Sequence, residues 1–242
     1  MNVRWLAISL LLLAATGLAH AARVTPMVVN LDESGSGATA RIEVANTEDI
    51  QLPMEARVYR GDISEEGKLT LAPADEDFLV FPPQAVIQPY RQQVFRVQYL
   101  GDEPLAQSEI YYLALKQVPV ELEPGASRIQ LIMNFNVLIN VVPDGVAAQP
   151  AVDWIRPATV DERDGLEVRV ENTGTKFFAA GRNQWTIEGE TPDGAPYSST
   201  IEPDAIGELI GYGIVPPGKA RIFFIPTDRA VNAESASIEF GR

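Results

Sequence analysis

The side chains that could do chemistry in this sequence are mainly carboxylates. The chain has no cysteine, and its single histidine, His20, lies near the start. The remainder of the chain therefore excludes Ser-His-Asp triads, cysteine nucleophiles, haem ligation by histidine and the usual zinc sites. Acidic residues cluster at 75–77 and 161–164, and paired carboxylates are the groups that glycoside hydrolases use.

Both acidic clusters lie beside proline or glycine, in segments that we predict to be loops. Acidic runs in such loops are usually solvated turns. We therefore predict that the protein is not an enzyme. We also predict no metal, no cofactor and no small-molecule substrate.

The charge balance limits the class of partner. The chain carries 33 Asp and Glu against 19 Lys and Arg, and its formal net charge is −14. Proteins that bind DNA or RNA neutralise phosphates with a basic surface, so this balance argues against a nucleic-acid partner.

The first 21 residues have the pattern of a secretory signal peptide. A short basic start, Met1–Arg4, precedes the apolar run Trp5–Leu18, and Ala19-His20-Ala21 gives the small-x-small cleavage pattern. The apolar run is shorter than the roughly 20 residues of a membrane span. We therefore predict export with a mature start at Ala22, rather than a retained anchor.

The elements that must position any site are β-strands. Apolar and polar residues alternate with period two through segments rich in Val, Ile, Phe and Tyr, which is typical of half-buried antiparallel strands. In the first half the predicted strands are Met27–Leu31, Ala38–Asn46, Gln51–Arg60, Phe78–Phe81, Val86–Gln88, Gln92–Tyr99, Glu109–Val118 and Ile129–Val142. This number of strands makes one immunoglobulin-like sandwich.

A second, related sandwich follows a break at Pro143-Asp144-Gly145. Its predicted strands are Ala151–Ile155, Leu166–Asn172, Gln184–Glu188, Tyr197–Ile201, Leu209–Ile214, Ala220–Ile225 and Ser237–Phe240. The tripeptide Val170-Glu171-Asn172 echoes Val44-Ala45-Asn46. We therefore predict an N-terminal domain at 22–145 and a C-terminal domain at 146–242.

The predicted strand Ile129–Val142 is long for a domain of this size. Typical strands have 5–6 residues, whereas this segment runs without a breaker and carries apolar residues at every odd position. Two interpretations stay open on pattern alone. The strand is wholly covered by its own domain, or part of it forms an edge that accepts a strand from a partner.

The first half resembles the periplasmic pilus (fimbrial) chaperones, the PapD-like family, over nearly all of residues 24–143. The matching segments occur in the family's order: Glu43-Val44-Ala45-Asn46, Gln51-Leu52-Pro53, Phe81-Pro82-Pro83, Gln93-Val94-Phe95-Arg96-Val97, and Tyr111-Tyr112-Leu113-Ala114-Leu115-Lys116-Gln117-Val118-Pro119. The segments Arg169–Asn172 and Val215–Gly218 fit the family's second domain.

The resemblance implies an all-β fold of two immunoglobulin-like β-sandwich domains in a boomerang arrangement. It implies a periplasmic chaperone that binds pilus subunits by donor-strand complementation and delivers them to an outer-membrane usher. The donor residues carried onto this chain are Ile129, Leu131, Met133 and Phe135. Self-association of the free protein through the same edge is a further expectation.

This sequence departs from the best-known members where the subunit's C-terminal carboxylate is anchored. Pro26 stands where the family has an arginine in the first strand, and the lysine near the end of the donor strand is missing. The departures resemble the alternative or archaic branch of the family. A carboxylate still favours a cation, and the candidates are Lys116, Arg91 and Arg96, with Lys116 as first choice.

Two other functions were compared with this one. A pilus subunit or adhesive module needs a donatable N-terminal extension, whereas only Ala22–Pro26 precede the first predicted strand. A carbohydrate-binding module could stack sugars on Trp154, Trp185 and Tyr212, but aromatic residues scattered through sandwich strands usually belong to the core.

Overall fold

The computed structural model describes residues 22–101, 104–119 and 132–241. The strands of the N-terminal half are β1 Arg23–Thr25, β2 Val28–Leu31, β3 Thr39–Ala45, β4 Leu52–Ile63, β5 Leu69–Pro73, β6 Phe78–Phe81, β7 Gln84–Ile87, β8 Gln92–Tyr99, β9 Glu109–Gln117 and β10 Asn134–Val141. A short 3₁₀ helix, Gly35–Ala38, precedes β3.

These strands form a two-layer sandwich. One sheet has the order β1-β3-β8-β6, and the other has the order β2-β10-β9-β4-β5, with β7 also paired to β4. Both sheets supply side chains to one core, including Ile42 and Phe95 from the first sheet and Leu113 and Ile139 from the second. The alternation seen in the sequence explains this burial, because every second residue of a strand points to the same face.

The C-terminal half contains β11 Pro150–Val160, β12 Arg163–Asn172, β13 Phe178–Ala179, β14 Gln184–Glu190, β15 Pro196–Ile201, helix α1 Pro203–Ile210, β16 Ile214–Val215, β17 Lys219–Pro226 and β18 Ser237–Gly241. A 3₁₀ helix at Ala180–Arg182 follows β13. The strands pair as β11-β12-β17, β13-β16 and β15-β14-β18. In the described residues no ladder joins these strands to β1–β10.

The core of the second half is built around Trp185. Its indole is fully buried and meets Phe223 and Phe240 edge-on, with ring centroids 5.9 and 4.9 Å away. The indole nitrogen donates a hydrogen bond of 2.9 Å to the carbonyl oxygen of Ala180. The polar atom of this large side chain is therefore satisfied where water is excluded.

The all-β prediction is confirmed, and one of the predicted strands is wrong. Leu209–Ile214 was expected to be a strand, but α1 occupies Pro203–Ile210 and β16 begins only at Ile214. Proline at the first helical position, Asp204 in the first turn and Gly211 after the end (φ 65°) are helix start and stop signals that override the local apolar pattern.

Other differences concern short strands and strand ends. The short strands β1 and β5 were not predicted, and β5 pairs with the last residues of β4, which extends to Ile63 rather than Arg60. The strand predicted from Ile129 is β10, which begins at Asn134 in the described part of the chain. Residues 129–131 lie outside the described residues.

Asn46 and Asn172 have the same role in the two halves, as the echo between their tripeptides suggests. Asn46 directly follows β3, Asn172 is the last residue of β12, and both side chains are almost fully buried. The Asn46 amide donates to the carbonyl oxygens of Ile50 (2.7 Å) and Gln88 (3.1 Å), and its Oδ1 accepts from the Glu48 N–H at 3.0 Å. One asparagine therefore ties together two loops at the end of its sandwich.

The Asn172 side chain makes the corresponding bonds in the second half. Its amide donates to the carbonyl oxygens of Lys176 (2.7 Å) and Val215 (3.2 Å), and its Oδ1 accepts from the N–H groups of Gln149 (3.0 Å) and Gly174 (3.1 Å). These bonds tie the segment before β11, at Gln149, to the loop after β12 and to β16.

Asn46→Ala is expected to lower the free energy of unfolding by about 1–3 kcal/mol, because buried carbonyl oxygens lose their donor. Chemical denaturation followed by circular dichroism measures the change. Asn232→Ala is the matched control, since Asn232 is exposed and its side-chain Oδ1 accepts a hydrogen bond from the Glu234 N–H at 3.1 Å. Equal losses for the two variants would contradict the bracing role of Asn46.

Candidate functional site

The open part of β10 is the principal candidate site. Along its whole described length β10 is antiparallel to β9, from the pair Asn134–Lys116 to the pair Val141–Glu109. On its other side it is parallel to β2, but only from Leu138 to Val141. Among the described residues, Asn134–Val137 therefore has a strand neighbour on one side only.

The hydrogen bonds show which backbone groups face that open side. The N–H groups of Leu138 and Val142 donate to the β2 side, to the carbonyl oxygens of Met27 (3.0 Å) and Leu31 (2.8 Å), whereas the Met133 carbonyl accepts from Gln117 on the β9 side. Backbone groups alternate sides along a strand. The N–H and C=O groups of Asn134 and Asn136 therefore point to the open edge, where a further strand could pair with them.

The odd-numbered side chains of β10 face the core of the first sandwich. Val137, Ile139 and Val141 are fully buried, and Met133 and Phe135 are half-buried and pack against the same core. The structure therefore places two of the four predicted donor residues, Met133 and Phe135, on the apolar face beside the open edge. Ile129 and Leu131 lie outside the described residues.

The other face of this sheet carries a cation next to the edge. Lys116 lies directly opposite Asn134 across the β9–β10 ladder. Its ammonium lies 5.3 Å from the centroid of the Tyr59 ring and 3.5 Å from the Tyr59 hydroxyl. No acidic side chain in the described residues forms an ion pair with Lys116, so its charge is available to an anion.

The two other predicted anchors lie elsewhere. Arg96 is on β8, in the opposite sheet of the sandwich, where it faces Arg41 of β3 in the ladder. Arg91 is exposed in the turn before β8, and its carbonyl accepts from the Asn46 N–H at 2.8 Å. The structure therefore brings Lys116, and neither of these arginines, to the edge of β10.

Farther along, β10 enters the contact between the two halves. Leu138 belongs to an apolar cluster with Ile63 and Ile110 of the first half and Phe177 and Ile214 of the second. The open edge therefore runs directly into the interdomain contact. A strand added beside Asn134–Val137 would therefore have one of its ends near the second sandwich.

A buried polar pair lies at the same junction. Asn140 is fully buried, and its amide donates to the Asn30 Oδ1 of β2 at 2.8 Å. This bond joins β10 to β2 through their side chains, just beyond the point where the edge closes. Sequence reasoning did not single out either asparagine or Tyr59. Asn30 and Asn140 stand out only as polar residues in apolar strands.

The acidic cluster at 75–77 has a structural role. The Arg60 guanidinium donates to Glu109 at 2.7 Å and to Asp77 at 3.1 Å, and the fully buried Tyr111 donates its hydroxyl to Glu109 at 2.5 Å. Burial, reinforced by this bond to Glu109, raises the pKa of Tyr111 well above its usual range. Asp77 and Glu109 are both held by an arginine and a tyrosine, which is a brace between strands.

The cluster at 161–164 forms a tight hairpin turn. Asp161 and Glu162 connect β11 to β12 with φ values of 49° and 61°, and Asp164 already belongs to β12. Positive φ at both central residues is typical of the hairpin turns that match strand twist. Within the described residues no group of three His, Cys, Asp or Glu side chains could hold a metal ion.

The three aromatic residues considered for sugar stacking do not form a common surface. Trp185 is the buried centre of the second core, and Tyr212 packs against the interdomain cluster. Trp154, on β11, is covered by the Arg156 guanidinium, 4.5 Å from its ring centroid.

No helix in the described part of the chain is long and apolar enough to cross a membrane.

Comparison with solved structures gives the same two-domain architecture. The class 5 fimbriae chaperone CfaA superposes with a TM-score of 0.55 at 10% identity, covering 92% of this chain and 99% of that chain. The SafA pilin–SafB chaperone complex of Salmonella enterica gives 0.54 at 22% identity, with coverages of 93% and 90%.

A third structure is the CsuC–CsuE chaperone–tip adhesion subunit pre-assembly complex of the archaic chaperone–usher Csu pili of Acinetobacter baumannii. It gives a TM-score of 0.52 at 14% identity, covering 85% of this chain and 90% of that chain. At these identities the likeness establishes the fold, and the prediction of two immunoglobulin-like sandwiches is confirmed.

A search of curated protein sequences found no match. The family model described as "Pili and flagellar-assembly chaperone, PapD N-terminal domain" matches residues 23–147, which is more than half of the chain and includes the whole of β10. The chain therefore belongs to the PapD-like family of pilus-assembly chaperones.

Proposed function

We propose that this protein is a periplasmic chaperone that holds a pilus subunit on the open edge of β10 and delivers it to an outer-membrane usher. The observation that carries the proposal is the edge itself. Asn134 and Asn136 present backbone groups that no other described residue pairs with, beside the apolar side chains of Met133 and Phe135. Strand addition at such an edge takes affinity from main-chain hydrogen bonds and specificity from the alternating side chains.

The apolar face supplies the hydrophobic part of the binding energy. Fully burying one large apolar side chain contributes about 1.5–3 kcal/mol. Met133 and Phe135 are already half-buried, so each gains only part of that amount. Ile129 and Leu131, which continue the apolar alternation in the sequence, are proposed to add to it. A subunit that lacks one strand of its own sandwich offers the groove these side chains would enter.

Lys116 is the proposed partner of the subunit's terminal carboxylate. It lies beside the open edge, its charge is unpaired among the described residues, and Tyr59 supports it from one side. A charge-assisted hydrogen bond to a carboxylate is about twice as strong as a neutral one. No cofactor and no nucleotide is needed for capture by these contacts.

The direct test is a pull-down from the periplasm. Tagged protein is purified from cells that also express candidate pilus subunits, and co-eluting proteins are identified and quantified by mass spectrometry. A stoichiometric secreted β-protein with an N-terminal extension is the expected result. Recovery of the tagged protein alone from those cells would contradict the proposal.

Met133→Glu is expected to reduce subunit recovery about tenfold or more, because a carboxylate would have to enter an apolar groove. Leu79→Glu is the matched control. It adds the same charge to an exposed apolar side chain of β6, in the opposite sheet of the sandwich and away from Lys116. Thermal unfolding checks that both variants fold. Equal recovery of subunit with both would exclude the apolar face as the binding surface.

Asn134→Pro is expected to abolish subunit recovery while leaving the chaperone folded. Proline removes a backbone N–H, and at Asn134 this N–H points to the open edge rather than to β9. Asn134→Ala, which keeps the N–H group, is the control and should bind like the wild type. If the proline variant also binds normally, the subunit does not pair with this edge.

Lys116→Ala is expected to weaken subunit binding about tenfold, the loss of one charge-assisted bond, and Lys116→Arg to retain most of it. Arg96→Ala is the comparison on the opposite sheet and should leave binding unchanged. Dissociation constants for a purified subunit and for a subunit shortened at its C-terminus measure the effect. A loss with Arg96→Ala and none with Lys116→Ala would place the anchor elsewhere.

A further inference from the structure

The hairpin between β4 and β5 makes a polar contact between the two sandwiches beside the apolar cluster, to which Ile63 at the end of β4 belongs. Its turn is braced within the first sandwich: the Ser64 N–H donates to the Lys68 carbonyl and the Gly67 N–H donates to the Ser64 carbonyl, both at 2.9 Å. The Ser64 hydroxyl donates to Glu66 at 2.8 Å. The turn is therefore preformed and does not depend on the second sandwich for its shape.

This turn lies against β12 and β17 of the second sandwich. The Ile222 N–H donates to the Glu65 carbonyl oxygen at 2.8 Å, and Gly67 approaches the guanidinium of Arg221. A Cβ added to Gly67 would lie 2.5 Å from Arg221 Nη2, and its φ of 85° also favours glycine. The close approach therefore depends on a glycine at this position.

Opposite charges meet across the contact. The Glu65 carboxylate pairs with the Arg169 guanidinium of β12, and the Asp62 carboxylate pairs with the Lys219 ammonium of β17. The Arg169 guanidinium also donates to Asp153 of its own sandwich at 2.6 Å. This second bond orients the guanidinium from within the second sandwich. In a chain with 33 acidic and 19 basic residues, three cations thus gather where an acidic hairpin docks.

The other interdomain contacts in the described residues include the apolar cluster around Leu138 and Phe177. They also include two bonds at Ser108, whose N–H donates to the Thr175 carbonyl at 2.9 Å and whose hydroxyl accepts from the Phe177 N–H at 2.8 Å. Domains joined by a limited interface move relative to one another unless another contact fixes them. The hairpin adds charged contacts at the side of the apolar cluster.

The ion pairs of the hairpin are accessible to salt. The Asp62 and Lys219 side chains are 67% and 45% exposed. Exposed pairs are screened when the Debye length falls, from about 10 Å at 0.1 M to about 3 Å at 1 M ionic strength. The hairpin contact should therefore weaken with salt, whereas the apolar cluster should not.

We infer that the β4–β5 hairpin is an ionic latch that fixes the angle between the two sandwiches. With the latch closed, the second sandwich has one orientation relative to the edge of β10. With the latch open, the apolar cluster and the bonds at Ser108 still join the sandwiches, which then sample a range of angles. The latch is a property of the free protein and does not require a bound subunit.

Distances between two spin labels test the latch directly. The chain has no cysteine, so Gln84→Cys on β7 and Ser198→Cys on β15, both exposed, give unique labelling sites in the two sandwiches. Pulsed electron spin resonance then reports the interdomain distance distribution. The wild-type distribution is expected to be narrow at low ionic strength and to broaden in 1 M NaCl, an ionic strength at which exposed pairs are screened.

Charge reversal separates the latch from general effects of salt. Asp62→Lys should broaden the distribution at low ionic strength, and adding Lys219→Asp should narrow it again, because the pair is restored with opposite polarity. Glu65→Gln should also broaden it. Glu55→Gln is the matched control on β4, since it removes an ion pair with Arg57 inside the first sandwich and should change nothing.

Two results would overturn the latch. One is a distribution that is identical in the wild type, Asp62→Lys and Glu65→Gln at both ionic strengths. The other is a broadening by Asp62→Lys that Lys219→Asp does not reverse. Circular dichroism of each labelled variant verifies that both sandwiches remain folded, so that a change in distance reports orientation.

Discussion

A strand inside a sandwich must satisfy its backbone hydrogen-bonding groups on two sides, and β2 is only four residues long. β9 covers one side of β10 throughout its described length, whereas β2 covers the other side only from Leu138 onward. The edge between Asn134 and Val137 follows from this mismatch in strand length. Among the residues that the structure describes, the same strand is therefore a central strand at one end and an edge strand at the other.

The position of this edge determines what else lies near it. Because β9 is the neighbour of β10 in the sheet, Lys116 lies beside Asn134. Because β4 is the neighbour of β9 on its other side, Tyr59 lies next to Lys116. Because β10 continues into the apolar cluster at Leu138, the edge ends at the second sandwich. The cation, the aromatic ring and the interdomain contact are thus consequences of strand order.

Much of this arrangement could be predicted from the sequence because it is local. Alternation in β3 and β8 identified which residues of these strands are buried, and the equivalence of Asn46 and Asn172 was visible as a repeated tripeptide. The apolar odd positions of β10 identified the face of Met133 and Phe135. Each of these depends on residues close together in the chain.

The other features of the fold and the site depend on contacts between residues far apart in the sequence, or on helix start and stop signals that apolar alternation does not include. Arg96 was a plausible anchor until β8 proved to belong to the opposite sheet, which local periodicity does not specify. The pairing of Asp62 with Lys219 joins residues far apart in the sequence and leaves no periodic trace. Helix α1 was missed although Pro203 and Gly211 mark its ends, because the apolar residues near its end resemble a strand.

The half-burial of Met133 and Phe135 bears on the solubility of the free protein. An apolar edge that projected fully into water would attract any unfolded chain or a second copy of itself. Here both residues pack partly against the protein's own core, which leaves less apolar surface exposed to water. We therefore expect the described part of this edge to be less prone to aggregation than a fully projecting apolar edge.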